Sequence, residues 1–331
     1  MKQTLSTQPS SPAGQTNTGI IEALPVIAYL SPDPLDDDSY IEEDWISWIP
    51  GYLNSEEYGV SYLHPHNIDL ARRIESFTEE QFQKAFKRLK SLWHDKYVKQ
   101  MTVGIDYSGM LGSDGTASFD YVRSEPECGH YSFAVHRRLL YRYANQIIQS
   151  EQAASDNLGI WEHEIIHALD YRQILIASAF RDSKNPLNGL TYYTLRYREE
   201  GIANLLALLD GDIDGVHSIH EAKALFTKNC ERVGKELLAL EETSDNDRGK
   251  IFEGHDFYEA GPWLILDMLS DYYSVVHEID MASIEKRIQN KETFSESEKL
   301  GILSAALKFI STSWFLSSID AYLYTEGQNH N

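Results

Sequence analysis

Two histidines four residues apart, with a glutamate directly after the first, make His163-Glu164-Ile165-Ile166-His167 the stretch of this sequence that speaks most directly of chemistry. On an α-helix such histidines project from one face, one turn apart, so both imidazoles can bind a single cation. Glu164 can then act as a base towards water at that cation without being a ligand itself. Zinc is the cation expected for two imidazoles and a carboxylate, although cobalt or manganese can fill such a set.

The motif needs a helix, and its flanks supply one. Ile160, Ile166, Leu169 and Leu175 form a broken apolar stripe, and Ala168, Ala177 and Ala179 favour the helical state. Asp156 or Asn157 can cap its start, and no proline follows before Pro186. A catalytic zinc takes three protein ligands and leaves a position for water, so a third ligand must come from elsewhere. The candidates downstream are Asp170, Glu199, Glu200, His217, His220 and His255. Asp170 shares the histidine face but stands about 10 Å along the axis from His163, which suits an ion pair or a supporting role better than ligation. Arg198-Glu199-Glu200-Gly201-Ile202-Ala203-Asn204 lies on the next expected helix. Antiparallel to the first, that helix could bring a carboxylate to the open side of the metal, with Gly201 and Ala203 letting the two helices approach. The alternative is that Glu199 and Glu200 are surface charges.

Together, His163-Glu164-x-x-His167 and Glu200-Gly201-Ile202-Ala203 resemble the zinc peptidases called gluzincins, which include thermolysin-like and aminopeptidase-like enzymes. The resemblance implies a zincin-type catalytic domain with Glu200 as third zinc ligand and Glu199 flanking it. Many members carry an aspartate, bonded to the first histidine, where this chain has Asn204; asparagine accepts an imidazole N–H but polarises the ring less. The 32 residues between His167 and Glu200 are more than in the best-known members. The run from Gly254 to Trp263 is similar to a Tyr-x-x-Gly helix start found in several gluzincins, which implies Tyr258 as oxyanion donor, with His255 as its substitute. In the same layout, residues 131–135 resemble the edge strand along which substrate backbone pairs.

The activity so implied is hydrolysis of a peptide or related amide bond. Glu164 takes a proton from water and passes it to the leaving amine, while zinc, with Tyr258 or His255, stabilises the oxyanion. A zinc-binding scaffold or interaction protein without catalysis, on the same type of fold, is the competing expectation. An intact Glu164 argues for the enzyme, because a structural metal site has no use for a base beside its ligand.

These residues must be positioned by the elements around them. Thr78-Glu79-Glu80-Gln81 reads as a capping box opening a helix that runs to about Lys96, with Phe82, Phe86, Leu89 and Leu92 at helical spacing. Strand-like segments at 100–107, 116–122 and 130–136 follow, the first two separated by Gly109, Gly112 and Gly115. Helical patterning then covers about 140–150, 157–180, 188–209, 218–241, 257–278, 282–290 and 296–323. The expected class is α+β, a small and mostly antiparallel sheet followed by a predominantly helical half carrying the active-site helix. The expected division is a disordered tail over 1–19, an acidic irregular segment over 20–66, an α/β sub-domain over 67–150 and a helical zinc-binding sub-domain over 151–325. In the acidic segment, seven carboxylates between Asp33 and Asp44 crowd around prolines without the spacing of a calcium loop, and Trp45 and Trp48 pin it.

Composition narrows the partners. The chain of 331 residues carries a formal net charge of −22, from 29 basic and 51 acidic residues. That balance repels phosphate backbones and anionic lipid, so neither nucleic acid nor membrane is expected as a partner, and a basic or neutral peptide or protein substrate is favoured. A regulatory protein partner is left open. Cys128 and Cys230, the two cysteines, are too far apart in sequence for a metal knuckle and too few for a disulfide framework. The apolar run over 20–30 contains Glu22 and Pro25 and suits neither a signal peptide nor a membrane span. A cytoplasmic protein is expected, with leaderless export or effector delivery left open.

Overall fold

A computed structural model describes residues 26–29, 68–92, 100–106, 117–125, 128–135, 158–181, 185–212, 215–239, 251–252, 256–276 and 281–319, together with residues 139, 143 and 147. The expected tail, the acidic carboxylates with Trp45 and Trp48, and His255 all lie outside these residues. In chain order the elements are β1 (Val26–Tyr29), α1 (Ile68–Leu89, extended by a 3-10 turn at Lys90–Leu92), β2 (Gln100–Asp106), β3 (Ala117–Glu125) and β4 (Cys128–Val135). Eight helices follow, α2 (Leu158–Arg181), α3 (Pro186–Ala203), α4 (Leu205–Asp210), α5 (Ile219–Ala239), α6 (Asp256–Val276), α7 (Met281–Gln289), α8 (Glu296–Phe309) and α9 (Thr312–Ile319). Among the described residues no single helix is long and apolar enough to cross a membrane, and α8 and α9 meet at an 86° bend.

The fold is mostly helical, which corrects the expected α+β class. The core runs from Ile74 on α1 to Ile319 on α9, and Phe133 is the one strand residue in it among those described. Among the described side chains the helices pack mainly against one another, and the strands form one four-stranded sheet. Nor is their pairing mostly antiparallel. The order is β1-β2-β4-β3, with β1·β2 and β2·β4 parallel and only β3·β4 antiparallel. Glycine-punctuated alternation marks a strand but does not say which neighbour it takes. β4 lies between two others, so residues 131–135 are not the unpaired edge that the gluzincin layout implies.

The first helix also differs from the sequence expectation. α1 begins at Ile68, ten residues before Thr78. Thr78 is buried in mid-helix, and its hydroxyl donates to the Ile74 carbonyl at 2.7 Å instead of capping a helix start. A Thr-x-x-Gln run satisfies a capping pattern and a back-bonded interior position equally well. The last expected helix, 296–323, is divided at Ile310, whose N–H still bonds Ala306.

α3 is the central helix, packed against α2, α5, α6 and α8. Pro186 opens it, and the Asn185 side chain caps it by accepting from the Leu187 N–H at 3.0 Å. From Tyr193 to Ala203 it is buried almost without interruption, including Arg198, Glu199 and Glu200. Aromatic side chains hold one side: Tyr197 meets Phe226 at 4.8 Å and Phe257 at 4.9 Å, both edge to face. α3 and α6 touch backbone to backbone at Gly201 and Gly261. A Cβ added at Gly201 would stand 2.6 Å from the Gly261 carbonyl carbon and oxygen, and one at Gly261 would stand 2.7 Å from the Tyr197 carbonyl oxygen. Gly201 was expected to admit the histidine helix. It faces α6 instead, because Glu200 points towards α2 and the next residue lies about 100° further round the helix.

That contact gives a first prediction. Gly201→Ala forces two backbones apart and is expected to cost about 2–3 kcal/mol of stability by urea unfolding. Gly301→Ala, in mid-helix with nothing within 4 Å of the added Cβ, should gain about 0.5–1 kcal/mol.

Candidate metal centre

The His163–His167 motif occupies the first half of α2, and its other side chains fix which way the histidines face. Trp161, Ile165, Ile166 and Ala168 are buried in the core, and the Trp161 indole donates to the Tyr143 hydroxyl at 2.7 Å. Glu162 receives Arg88 of α1 at 2.7 Å, which ties α2 to the first helix. Arg88 also pairs with Glu296 at 2.6 Å, so the N-terminal helix, the histidine helix and α8 meet at one guanidinium. With those directions taken, His163 and His167 turn towards α3.

α3 presents Glu200 to them. The Nε2 atoms of His163 and His167 stand 3.0 Å apart. Glu200 Oε2 lies 3.2 Å from the first and 3.4 Å from the second. These three residues form the group that could hold a metal ion among the described residues. Around a tetrahedral ion with bonds of about 2.0–2.2 Å, ligand atoms stand about 3.3–3.6 Å from one another, so the observed triangle needs almost no adjustment. Apart from the two imidazoles, the buried Glu200 Oε2 has no hydrogen-bond partner. A buried carboxylate oxygen left in this way, facing two imidazole nitrogens, fits a cation at their centre. The imidazoles remain 16% and 13% exposed against 4% for Glu200, so the group opens towards solvent on the histidine side.

Charge is arranged accordingly. Burial alone would raise the Glu200 carboxyl, but the charge of His167, hydrogen bonds from both histidines and the charge of Arg196 outweigh it and hold Glu200 well below the usual carboxylate range. Burial alone would lower His163. The hydrogen bond to Glu200, the charges of Glu164 and Glu200 and a hydrogen bond with the Asn204 side chain raise it instead. Without a metal, this shift favours a proton on the His163 ring beside Glu200.

The other expected residues fall into place around this group with distinct roles. Asn204 caps α3, donates from Nδ2 to the Glu200 carbonyl at 2.9 Å and bonds the His163 ring, the contact expected of it. Glu199 is buried but lies outside the metal-ligand group; burial pushes its carboxyl up to about 8 against the pull of Arg196. Neither Glu199 nor Glu200 is a surface charge. Asp170 accepts a two-pronged ion pair from Arg198, at 2.5 and 2.9 Å, and Arg198 Nε donates to the Ile310 carbonyl at 2.7 Å. Glu164, 7% exposed, lies close enough to shift the charge state of both His163 and Tyr258. The Tyr258 ring lies 5.9 Å from that of His163, and burial together with the Glu200 charge pushes its phenol up to about 12. His217 and His220 are exposed near the start of α5 and do not join the group.

Sequence reasoning missed Arg196. It stands one turn before Glu200 on α3, and its Nη2 lies 2.7 Å from Glu200 Oε1. The signal was an Arg and a Glu at i, i+4, a spacing common on exposed helix faces and in this orientation the weaker of the two arrangements.

Comparison with protein-family models, with curated proteins and with solved structures gives no match. The gluzincin resemblance therefore stands on the motif residues and their convergence.

A proton-linked test follows from the His163 shift. A metal must displace the His163 proton, so zinc binding should release protons, and apparent affinity should rise about tenfold per pH unit until the pH passes the raised His163 value, then level off. Conversely, the metal-free protein should lose stability as pH rises through that value, because the imidazolium–Glu200 attraction then disappears. Calorimetry in buffers of different ionisation enthalpy reads the proton release directly.

Proposed function

We propose that the protein is a zinc-dependent metallopeptidase of the gluzincin type, hydrolysing peptide or related amide bonds, with His163, His167 and Glu200 as the zinc ligands. The observation that carries this reading is the meeting of both imidazole Nε2 atoms with an otherwise unpartnered carboxylate oxygen, beside a buried glutamate that is free of the ligand set. A zinc ion held there supplies Lewis acidity, lowering the pKa of water towards 7 and polarising a carbonyl.

The residues of the chain do the rest. Glu164 accepts the proton of the attacking water and returns it to the leaving amine, a role for which its place one residue after the first ligand is suited. Tyr258, half-exposed beside His163, donates its phenolic hydrogen to the carbonyl oxygen as negative charge develops there. Its pKa of about 12 keeps that hydrogen in place at neutral pH. Asn204 orients the His163 ring as an outer partner of the ligand. The net charge of −22 favours basic or neutral stretches of substrate. A cytoplasmic setting is proposed from the low cysteine count and the free, buried Cys230.

Metal analysis and cleavage of an unstructured protein test this. The purified protein should hold one zinc, His167→Ala should lose it, and Glu164→Gln should keep it while turnover falls about 10²–10⁴-fold. Tyr258→Phe should lower kcat by about 10²-fold with little change in zinc content. Zinc bound without any cleavage of peptide libraries would replace the peptidase with a zinc-binding scaffold. Equal turnover in Glu164→Gln and the unmutated chain would remove the proposed base.

A further inference from the structure

We infer that Arg196 is the positioning residue of this metal centre, holding the outer oxygen of Glu200 so that the carboxylate offers a metal a single atom. The inference rests on the metal-centre reading above and adds to it how many positions around the ion stay open.

The geometry is specific. Arg196 Nη2 lies 2.7 Å from Glu200 Oε1, while Oε2 faces the histidines. A carboxylate in a metal site can bind with one oxygen or with both, and it can rotate between the two modes. With Oε1 committed to a guanidinium, Oε2 alone remains for the ion, and the position that a chelating carboxylate would fill stays available. Two further contacts keep the guanidinium from drifting. Its central carbon sits 5.5 Å from the centre of the Phe257 ring, and Phe257 is itself 1% exposed and fixed between Tyr193 and Tyr197. The Tyr258 phenol shares a side-chain hydrogen bond with Arg196. A planar guanidinium can address a carboxylate, a ring face and a hydroxyl at once, whereas a lysine ammonium is a point charge without that fork.

An ordinary pair at the same spacing looks different. Arg232 and Glu236 on α5 are also i, i+4 and bonded at 3.0 Å, but their side chains are 42% and 43% exposed. Glu200 is 4% exposed and Arg196 31%, so this pair is largely withdrawn from water and its removal leaves a buried oxygen without a counter-charge.

The test uses the full chain and zinc itself. Zinc affinity would be measured by competition with a chromophoric chelator, and ligand geometry by the visible absorption of the cobalt(II)-loaded protein. Arg196→Gln should weaken zinc about 10–100-fold and shift the cobalt bands, because Glu200 is then free to rotate or chelate. Arg196→Lys, which keeps the charge and loses the fork, should fall between that variant and the unmutated protein, with a cobalt spectrum still displaced. Tyr258→Phe, removing one brace, should change zinc affinity by only about threefold, and Arg232→Gln should leave both readouts unchanged. Unmutated affinity and an unshifted cobalt spectrum in Arg196→Gln would overturn the inference and leave the metal centre standing. Failure of the unmutated protein to bind zinc would overturn both. Should Arg196→Gln fail to fold by circular dichroism, Arg196→Lys decides: an unmutated spectrum and affinity there overturns the inference.

Discussion

Two imidazole nitrogens and a carboxylate oxygen stand within 3.4 Å of one another, open to solvent on the histidine side, and they hold together only where a proton or another positive charge lies among them. That constraint organises this protein. His163, His167 and Glu200 come from two helices, and further contacts between α2 and α3 fix where the three groups meet. The raised His163 pKa favours a proton in the triangle, and the divalent ion proposed above would take that proton's place. The site is thus a place where the fold keeps charge waiting for a counter-charge.

Part of that restraint comes one turn further along the histidine face of α2. Arg198, two residues before Glu200, reaches back to Asp170, three residues after His167, and both are buried. This fork is an ion pair between the two ligand-bearing helices, and its third bond to the Ile310 carbonyl adds the bend between α8 and α9. Breaking such a pair is far costlier than never having had it, since each partner would remain buried and charged. On the next face, Gly201 and Gly261 bring α6 into backbone contact with α3, and Tyr258 is placed one turn before that contact. The glycine pair therefore sets how near the phenol comes to His163. Arg198, Glu199, Glu200 and Gly201 are consecutive and buried, yet Arg198 points to Asp170, Glu200 to the histidines and Gly201 to α6.

The cluster of candidate side chains was more legible in the sequence than the fold. His163 and His167 were readable because ligand chemistry demands particular residue types at particular spacings, whereas Glu200 and Asn204 were singled out only through the gluzincin resemblance. Asp170 was readable by elimination, since helix rise puts it out of reach of a metal held by both histidines. The fold class was not. Alternating apolar residues between glycines marked three of the four strand segments, but nothing local says that β1, β2 and β4 run parallel. Thr78 misled because capping and back-bonding share one sequence pattern. Gly201 misled because closeness is legible in a glycine and the identity of the neighbour is not. Arg196 was invisible for a related reason: its pairing with Glu200 matters through burial, which is a property of the packed helix and not of the spacing.

Burial also explains why Glu200, and not the adjacent Glu199, faces the histidines with its charge intact. Both carboxyls lie in the dry interior of α3, and burial is the largest influence on each. Glu200 has two histidines and Arg196 to offset that penalty, and it stays ionised. Glu199 feels Arg196 and Arg198 together with the opposing charges of Glu200 and Asp170, and its carboxyl rises to about 8, so near neutral pH it is largely protonated. A neutral Glu199 does not compete for Arg196. The guanidinium is then left to Glu200, one carboxylate balances one cation, and the positive charge of a bound ion is not cancelled by a second buried anion. Two neighbouring glutamates of identical chemistry are in this way sorted into a charged partner of the histidines and an uncharged neighbour by which side of one helix each occupies.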